Sequence, residues 1–145
     1  MLRIRLAVLG SFASAIALAS PAIAQDASRA FSAPHTIVVT LVERAGPVPF
    51  AFEPSTFSAQ RGDTLRFVQG AATMHNVHFK GTPKGSRLGS AATSPYLTVK
   101  GQAYSVVVDS RFAPGNYEIV CDPHEMVGMH ATLTVAEPSV VAGKQ

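Results

Sequence analysis

The chain has 145 residues, of which 47% are hydrophobic and 14% charged, and its formal net charge at pH 7 is +3. This length suits one domain with a modest core, and the basic residues form no clustered stripe that would predict binding to nucleic acid. No segment beyond the N-terminal region is apolar over the ~20 residues that a spanning helix requires, which excludes a membrane-embedded domain.

The N-terminal residues have the pattern of a secretory signal peptide. Two arginines within the first five residues precede an apolar stretch from Leu6 to Ser20, and Ala22-Ile23-Ala24 then provides a small-x-small cleavage site. We predict that residues 1–24 are removed after Ala24 and that the protein is exported, to the periplasm or an equivalent compartment. An uncleaved membrane anchor is the alternative, which the shortness of the apolar run disfavours. Cleavage would leave 121 residues with ten basic and nine acidic side chains, a net charge of +1.

The first half of the mature chain alternates between short strands and turns. Residues 25–34 are predicted to be a loose lead-in, and the β-branched run from His35 to Glu43 predicts the first strand. After a turn rich in Gly and Pro, Phe50–Pro54 and Thr56–Ala59 indicate a strand interrupted at a sheet edge. A turn at Gly62-Asp63 precedes the next strand, Thr64–Gln69, which has Leu65 and Phe67 on one face.

The second half continues the pattern around one long loop. The segment from Gly81 to Pro95 is rich in Gly, Ser and Pro without a periodic face, and predicts a surface loop. The remaining predicted strands are Val77–Lys80, Tyr104–Asp109, Tyr117–Cys121 and Ala131–Val135. Seven or eight short strands without an amphipathic helix predict an all-β fold, a single Greek-key β-sandwich over residues 35–136, with a tail at 137–145.

The single cysteine is the residue that most needs an explanation. In an oxidising compartment Cys121 cannot form an internal disulfide, so it is unpaired, intermolecular, reactive or bound to a metal. It belongs to a C-x2-H-x4-M pattern with His124 and Met129 that joins the last two predicted strands, and His75 precedes another strand 46 positions upstream. Two imidazoles, one thiolate and a weakly held thioether are the donors of a type-1 copper site.

The same residues give the chain a specific resemblance. From Phe52 to Val135 it resembles the cupredoxins of the plastocyanin, pseudoazurin and amicyanin group, sharing Phe52-x-Pro54, Gly62-Asp63-Thr64, Phe67, His75-Asn76-Val77, Pro114-Gly115-x-Tyr117 and the loop from Cys121 to Met129. The resemblance implies a cupredoxin-like sandwich that holds one copper ion, Cu2+ or Cu+, through His75, Cys121, His124 and Met129. It also implies that Asn76 ties the two ligand loops together and hydrogen-bonds near the sulfur. Plant and algal plastocyanins usually have a tyrosine before the cysteine and acidic patches, whereas this chain has Val120, which argues against a photosynthetic role.

Several residues near the pattern allow other interpretations. Met126 is a rival axial ligand to Met129, although the family spacing favours Met129. Strand alternation predicts that His78 and His130 point away from the metal, and His130 is the one that would serve as a partner contact or a second metal ligand. Cys121 as a buried small residue and His35 as a solvated strand end are the remaining structural alternatives.

The resemblance implies a carrier of single electrons that cycles between Cu(II) and Cu(I). We expect a monomer that is not an enzyme, because the chain has neither the additional His-x-His pairs nor the second domain of copper oxidases and nitrite reductases. A cytochrome or a copper oxidase or reductase would dock at the apolar surface around His124, formed with Pro123, Met126 and Val127. The alternatives are a copper carrier or storage protein without electron transfer, and a zinc-bearing or metal-free interaction domain.

Overall fold

The structure, a computed structural model, describes residues 33–137. The predicted signal peptide, nearly all of the predicted lead-in and all but the first residue of the predicted C-terminal tail lie outside the described residues. Within residues 33–137, none of the helical segments has the length and apolar character needed to cross a membrane.

Two mixed sheets account for all the strands among the described residues. The strands are β1 (Thr36–Glu43), β2 (Phe50–Glu53), β3 (Thr56–Ala59), β4 (Thr64–Gln69), β5 (His78–Gly81), β6 (Ala103–Val107), β7 (Gly115–Val120) and β8 (His130–Val135). One sheet has the order β2-β1-β4-β6 and the other the order β3-β8-β7-β5. The pairs β1–β4 and β3–β8 are parallel and the other pairs are antiparallel. The predicted all-β fold is confirmed.

The alternating pattern of each strand decides which side chains enter the core. Along β4, Leu65 and Phe67 are fully buried while Arg66 between them is exposed, as the two-residue period of a strand requires. Phe67 lies at the centre of the core and makes edge-on contacts with Phe52, Phe57 and Phe79. Edge-to-face packing of this kind is the favoured arrangement of buried aromatic rings.

The predicted interrupted strand is two strands that lie at the edges of different sheets. β2 pairs with β1 through Leu41 and Phe52, whereas β3 pairs with β8 through Phe57 and Leu133. Pro54 lies between them and has no N–H to donate to a ladder, so pairing ends there. The chain thereby crosses from one layer of the sandwich to the other.

The long loop differs from its prediction as a surface segment. Leu88 and Ser94 are buried, and Gly89–Ala92 forms a short 3-10 turn. The hydroxyl of Ser94 accepts a hydrogen bond of 2.9 Å from the N–H of Val77, and β5 therefore begins one residue later than predicted, at His78. Two isolated buried residues in an aperiodic segment leave no pattern in the sequence, and for this reason the prediction missed them.

The hydroxyl of Tyr117 connects this loop to the core. It donates a hydrogen bond of 2.7 Å to the carbonyl oxygen of Ala113 and lies 2.7 Å from the hydroxyl of Ser86. In Tyr117→Phe both partners would lose a hydrogen bond at a partly buried place, so we expect urea unfolding to show a loss of about 1 kcal/mol. Tyr96→Phe, at a half-exposed ring, is the control; equal losses in the two variants would contradict the assignment.

Candidate metal centre

His75 is fixed by the backbone next to it. Its N–H donates to the carbonyl oxygen of Leu97 at 3.1 Å, and the N–H of Leu97 donates back at 2.7 Å, which forms an isolated β-bridge. The side chain of His75 is fully buried. Leu97, just after the long loop, therefore fixes the backbone of His75 just before β5.

The turn between β7 and β8 places three more predicted ligands. Val120 pairs with His130 at the end of the ladder, so the next residues outward, Cys121 and Met129, are also opposite each other. The N–H of Cys121 donates to the carbonyl oxygen of Met129 at 3.3 Å, and the N–H of His124 donates to that of Cys121 at 2.9 Å. Residues Asp122–Val127 form a 3-10 turn that Gly128 ends in the left-handed conformation, φ +90°, where glycine is favoured.

Three donor atoms converge at this end of the sandwich. Nδ1 of His75 lies 3.5 Å from Sγ of Cys121, Nδ1 of His124 lies 3.4 Å from the same sulfur, and the two Nδ1 atoms are 3.1 Å apart. In a triangle with these sides, the point equidistant from the corners lies at about 2 Å from each, within the ~2.0–2.3 Å range of bonds from imidazole and thiolate to a metal ion. Among the described residues this is the one such group of three potential metal ligands.

The protonation states of the two imidazoles suit a metal ligand. Burial, together with the nearby His124, lowers the pKa of His75 to about 4, and burial also lowers the pKa of His124. Both rings are therefore neutral near pH 7, the form in which histidine binds metals. Nε2 of His75 is buried without a hydrogen-bond partner in the described part of the chain.

Unlike the two imidazoles, the thiol of Cys121 must lose a proton before it can bind a metal ion. Burial raises the pKa of Cys121, and hydrogen bonds from the backbone N–H groups of Asn76 and His124 oppose this rise. The free thiol is thus favoured without a metal ion, and a bound ion would displace its proton. The donor set of two neutral imidazoles and one sulfur fits copper, which takes this set in trigonal sites.

The two candidate methionines differ in burial. Met129 is fully buried beside Cys121, whereas Met126 is 95% exposed. Of the other histidines, His78 contacts Asp122 and His130 contacts Glu118, and neither belongs to the group of three. The exposed ring of His35 lies 3.0 Å from a carboxylate oxygen of Asp63.

Asn76 links the two segments that carry the candidate ligands. Its side-chain oxygen accepts a hydrogen bond of 2.8 Å from the N–H of Asp122, and its amide nitrogen donates to Oδ2 of Asp122 at 2.6 Å. This two-point contact joins the residue after His75 to the residue after Cys121. Asp122 was not among the predicted site residues, and its position directly after the cysteine was the available signal.

Phe50 is a second residue that the sequence interpretation missed. Its ring centroid is 4.0 Å from that of His124 and 5.4 Å from that of His75. As the first residue of β2 it comes from a strand without a candidate ligand, so only the folded arrangement shows its place. The ring therefore packs against both imidazoles.

Apolar side chains surround the exposed part of the site. His124 is partly exposed, and the nearest residues of its own turn, Pro123, Met126 and Val127, are exposed. Val48 packs beside the same turn, since its side chain would lie 3.4 Å from a Cβ at Gly128.

Comparisons with known proteins agree with this geometry. A profile of the family described as copper binding proteins, plastocyanin/azurin family, matches residues 37–136. The plastocyanin of the alga Scenedesmus fuscus is 32% identical over 99 residues, which cover 67% of this chain and 98% of the alga's protein. The chloroplastic plastocyanin of Hordeum vulgare is 36% identical over 86 residues, or 58% of this chain, and the match spans only 54% of the barley protein.

Solved structures extend the likeness to the whole sandwich. The oxidized plastocyanin of Dryopteris crassirhizoma matches with a TM-score of 0.57 and 26% identity, covering 69% of this chain and all of that one. A pseudoazurin and an amicyanin match as well. The group to which the sequence motifs pointed is therefore confirmed.

Proposed function

Because the chain belongs to the plastocyanin/azurin family of copper-binding proteins, we propose that His75, Cys121, His124 and Met129 hold its copper ion and that it carries single electrons between redox partners after export. Membership of this family makes the protein a cupredoxin, an electron carrier with copper as its cofactor, rather than an enzyme. The ligand set, the periplasmic location, the monomeric state and the docking surface belong to the proposal.

The observation that carries the ligand assignment is the convergence of Nδ1 of His75, Nδ1 of His124 and Sγ of Cys121 within 3.1–3.5 Å of one another. Copper bound by such donors exchanges one electron between Cu(II) and Cu(I). The backbone of the candidate ligands is fixed at two places, by the β-bridge of His75 and by the backbone hydrogen bonds of the turn between β7 and β8. A site fixed in this way changes little between oxidation states, which favours fast exchange.

Met129 is the better candidate for the axial thioether. It is buried opposite Cys121 at the end of the β7–β8 ladder, whereas the side chain of Met126 points almost entirely into solvent. A ligand must be shielded from water on the side of the metal, and a residue that is 95% exposed does not meet that condition.

The direct test is to add Cu(II) to the purified metal-free protein and to record its visible spectrum and its voltammogram. We expect an intense blue thiolate-to-copper band and a reversible one-electron wave. A colourless complex would contradict the copper site. A blue complex that loses copper readily to a mild chelator and has no reversible wave would indicate a carrier or storage protein instead.

The proposed docking surface makes electron exchange weakly dependent on salt. The mature protein would have a net charge of only +1, and the surface around His124 is apolar, so long-range steering contributes little. We expect the rate of exchange with a periplasmic cytochrome to change less than about threefold as the ionic strength rises from low to high, compared with the 10- to 1000-fold range of steered encounters. A steep salt dependence would contradict docking through this face.

A further inference from the structure

Two polar side chains of β5 contact the turn Asp122–Val127, here called the ligand turn, from outside the candidate copper site. His78 and Lys80 flank the buried Phe79, and both reach the same turn. Nδ1 of His78 lies 2.7 Å from Oδ1 of Asp122, and Nζ of Lys80 contacts Oε1 of Glu125. The strand therefore reaches the first and the fourth residue of the 3-10 turn Asp122–Val127.

Asp122 is the more closely held of the two acidic residues. Its Oδ1 faces His78, its Oδ2 accepts a bond of 2.6 Å from Asn76, and its N–H donates to Asn76 at 2.8 Å. Burial raises the pKa of Asp122, but the hydrogen bonds from His78 and Asn76 outweigh it, and the net pKa is lowered. An ionised carboxylate only accepts hydrogen bonds, so the ring nitrogen of His78 that faces it is the donor.

The two acidic residues of the turn differ in what neutralises them. Glu125 faces the ammonium group of Lys80, so the pair has little net charge. Asp122 faces an amide and an imidazole, neither of which has a permanent charge. The carboxylate of Asp122 thus lies on the residue next to Cys121, and Asn76 holds it there.

We propose that Asp122, fixed by His78 and Asn76, is a positioning residue that sets the start of the ligand turn and lowers the reduction potential of the copper site. The inference rests on the proposed function. A negative charge near the thiolate stabilises the more highly charged oxidation state, Cu(II), relative to Cu(I). The effect is strongest for a charge that cannot move away, and Asp122 has hydrogen bonds at both carboxylate oxygens.

The test is the reduction potential of the copper-loaded protein, measured by voltammetry for the wild type, Asp122→Asn and Glu118→Gln. Asparagine keeps the size and a hydrogen-bonding oxygen while it removes the charge. We expect Asp122→Asn to shift the equilibrium of electron exchange about tenfold towards the reduced form, which is ~59 mV for one electron. Glu118→Gln removes an equal charge from an exposed site on β7 without a contact to Asn76, and we expect less than about half that shift.

A second variant changes the side chain that faces the carboxylate of Asp122 and leaves the turn itself unaltered. His78→Arg places a permanent positive charge next to Asp122 from β5, where the side chain is already one third exposed. At pH 9, where an ordinary histidine is neutral, the potential of this variant should be higher than that of the wild type. An unchanged potential in Asp122→Asn, a shift no larger than that of Glu118→Gln, or no rise in His78→Arg would overturn the inference. If Asp122→Asn does not bind copper, His78→Arg decides alone. A wild type without the blue band would overturn the proposed function as well, whereas a normal blue wild type with unshifted variants would overturn this inference only.

Discussion

Cys121→Ser is expected to abolish the blue absorption of the copper-loaded protein completely. The intense visible band of a type-1 site comes from charge transfer between a thiolate sulfur and Cu(II), and Cys121 is the chain's only cysteine. Its sulfur lies within 3.5 Å of both imidazole Nδ1 atoms. Serine preserves the shape of the side chain but supplies a hydroxyl that does not ionise near pH 7. The measurement is the visible spectrum after one equivalent of Cu(II).

Two control variants separate loss of the sulfur from loss of the fold. Met126→Leu changes a side chain that is 95% exposed, so the band should remain at full intensity. Met129→Leu removes the proposed axial ligand and should keep the band, because the three strong donors remain, but raise the reduction potential. If Cys121→Ser stays blue, or if Met126→Leu and not Met129→Leu changes the potential, the ligand assignment is wrong.

The metal-free protein is expected to lose about 2 kcal/mol of its free energy of unfolding between pH 7 and pH 5 through His75 alone. The pKa of His75 is lowered to about 4 in the folded protein by burial and by the nearby His124, against ~6.5 in the unfolded chain. Acidification through this interval protonates the unfolded chain first and therefore favours unfolding. The loss begins near pH 6.5 and ends near pH 4. Urea unfolding at several pH values measures it.

His75→Gln is the variant that isolates this effect. It removes the titrating ring, so the difference in stability between pH 7 and pH 5 should fall by about 2 kcal/mol relative to the wild type. The carboxylates titrate below this interval, with pKa values of ~3.9–4.3 in unfolded chains, and do not account for a loss above pH 5. Copper-loaded protein should resist acid further, since the bound ion holds the imidazole unprotonated. An unchanged pH dependence in His75→Gln would contradict the assignment to this ring.

The fold was predictable because most strands have one buried face. The alternation of Leu65 and Phe67 with polar residues in β4 appears directly in the sequence, as does the interruption at Pro54. The alternating pattern did not show which strands pair with each other. Residues of β2 and β3 are neighbours in the chain but lie in different sheets, and pairing depends on contacts between distant segments.

The candidate site, like the fold, has one part that was predictable from the sequence and another that was not. The candidate ligand types were predictable from the sequence, because C-x2-H-x4-M lies within one turn and its spacing limits how far apart those residues can be. Three features depend on the tertiary structure: His75, 46 residues before Cys121, reaches the same point, Phe50 packs against both imidazoles, and Met129 is buried while Met126 is exposed. The contact between His78 and Asp122 also depends on the tertiary structure. A short turn restricts its own residues through covalent geometry, whereas contacts between remote segments exist only when the packed core holds the sheets in register.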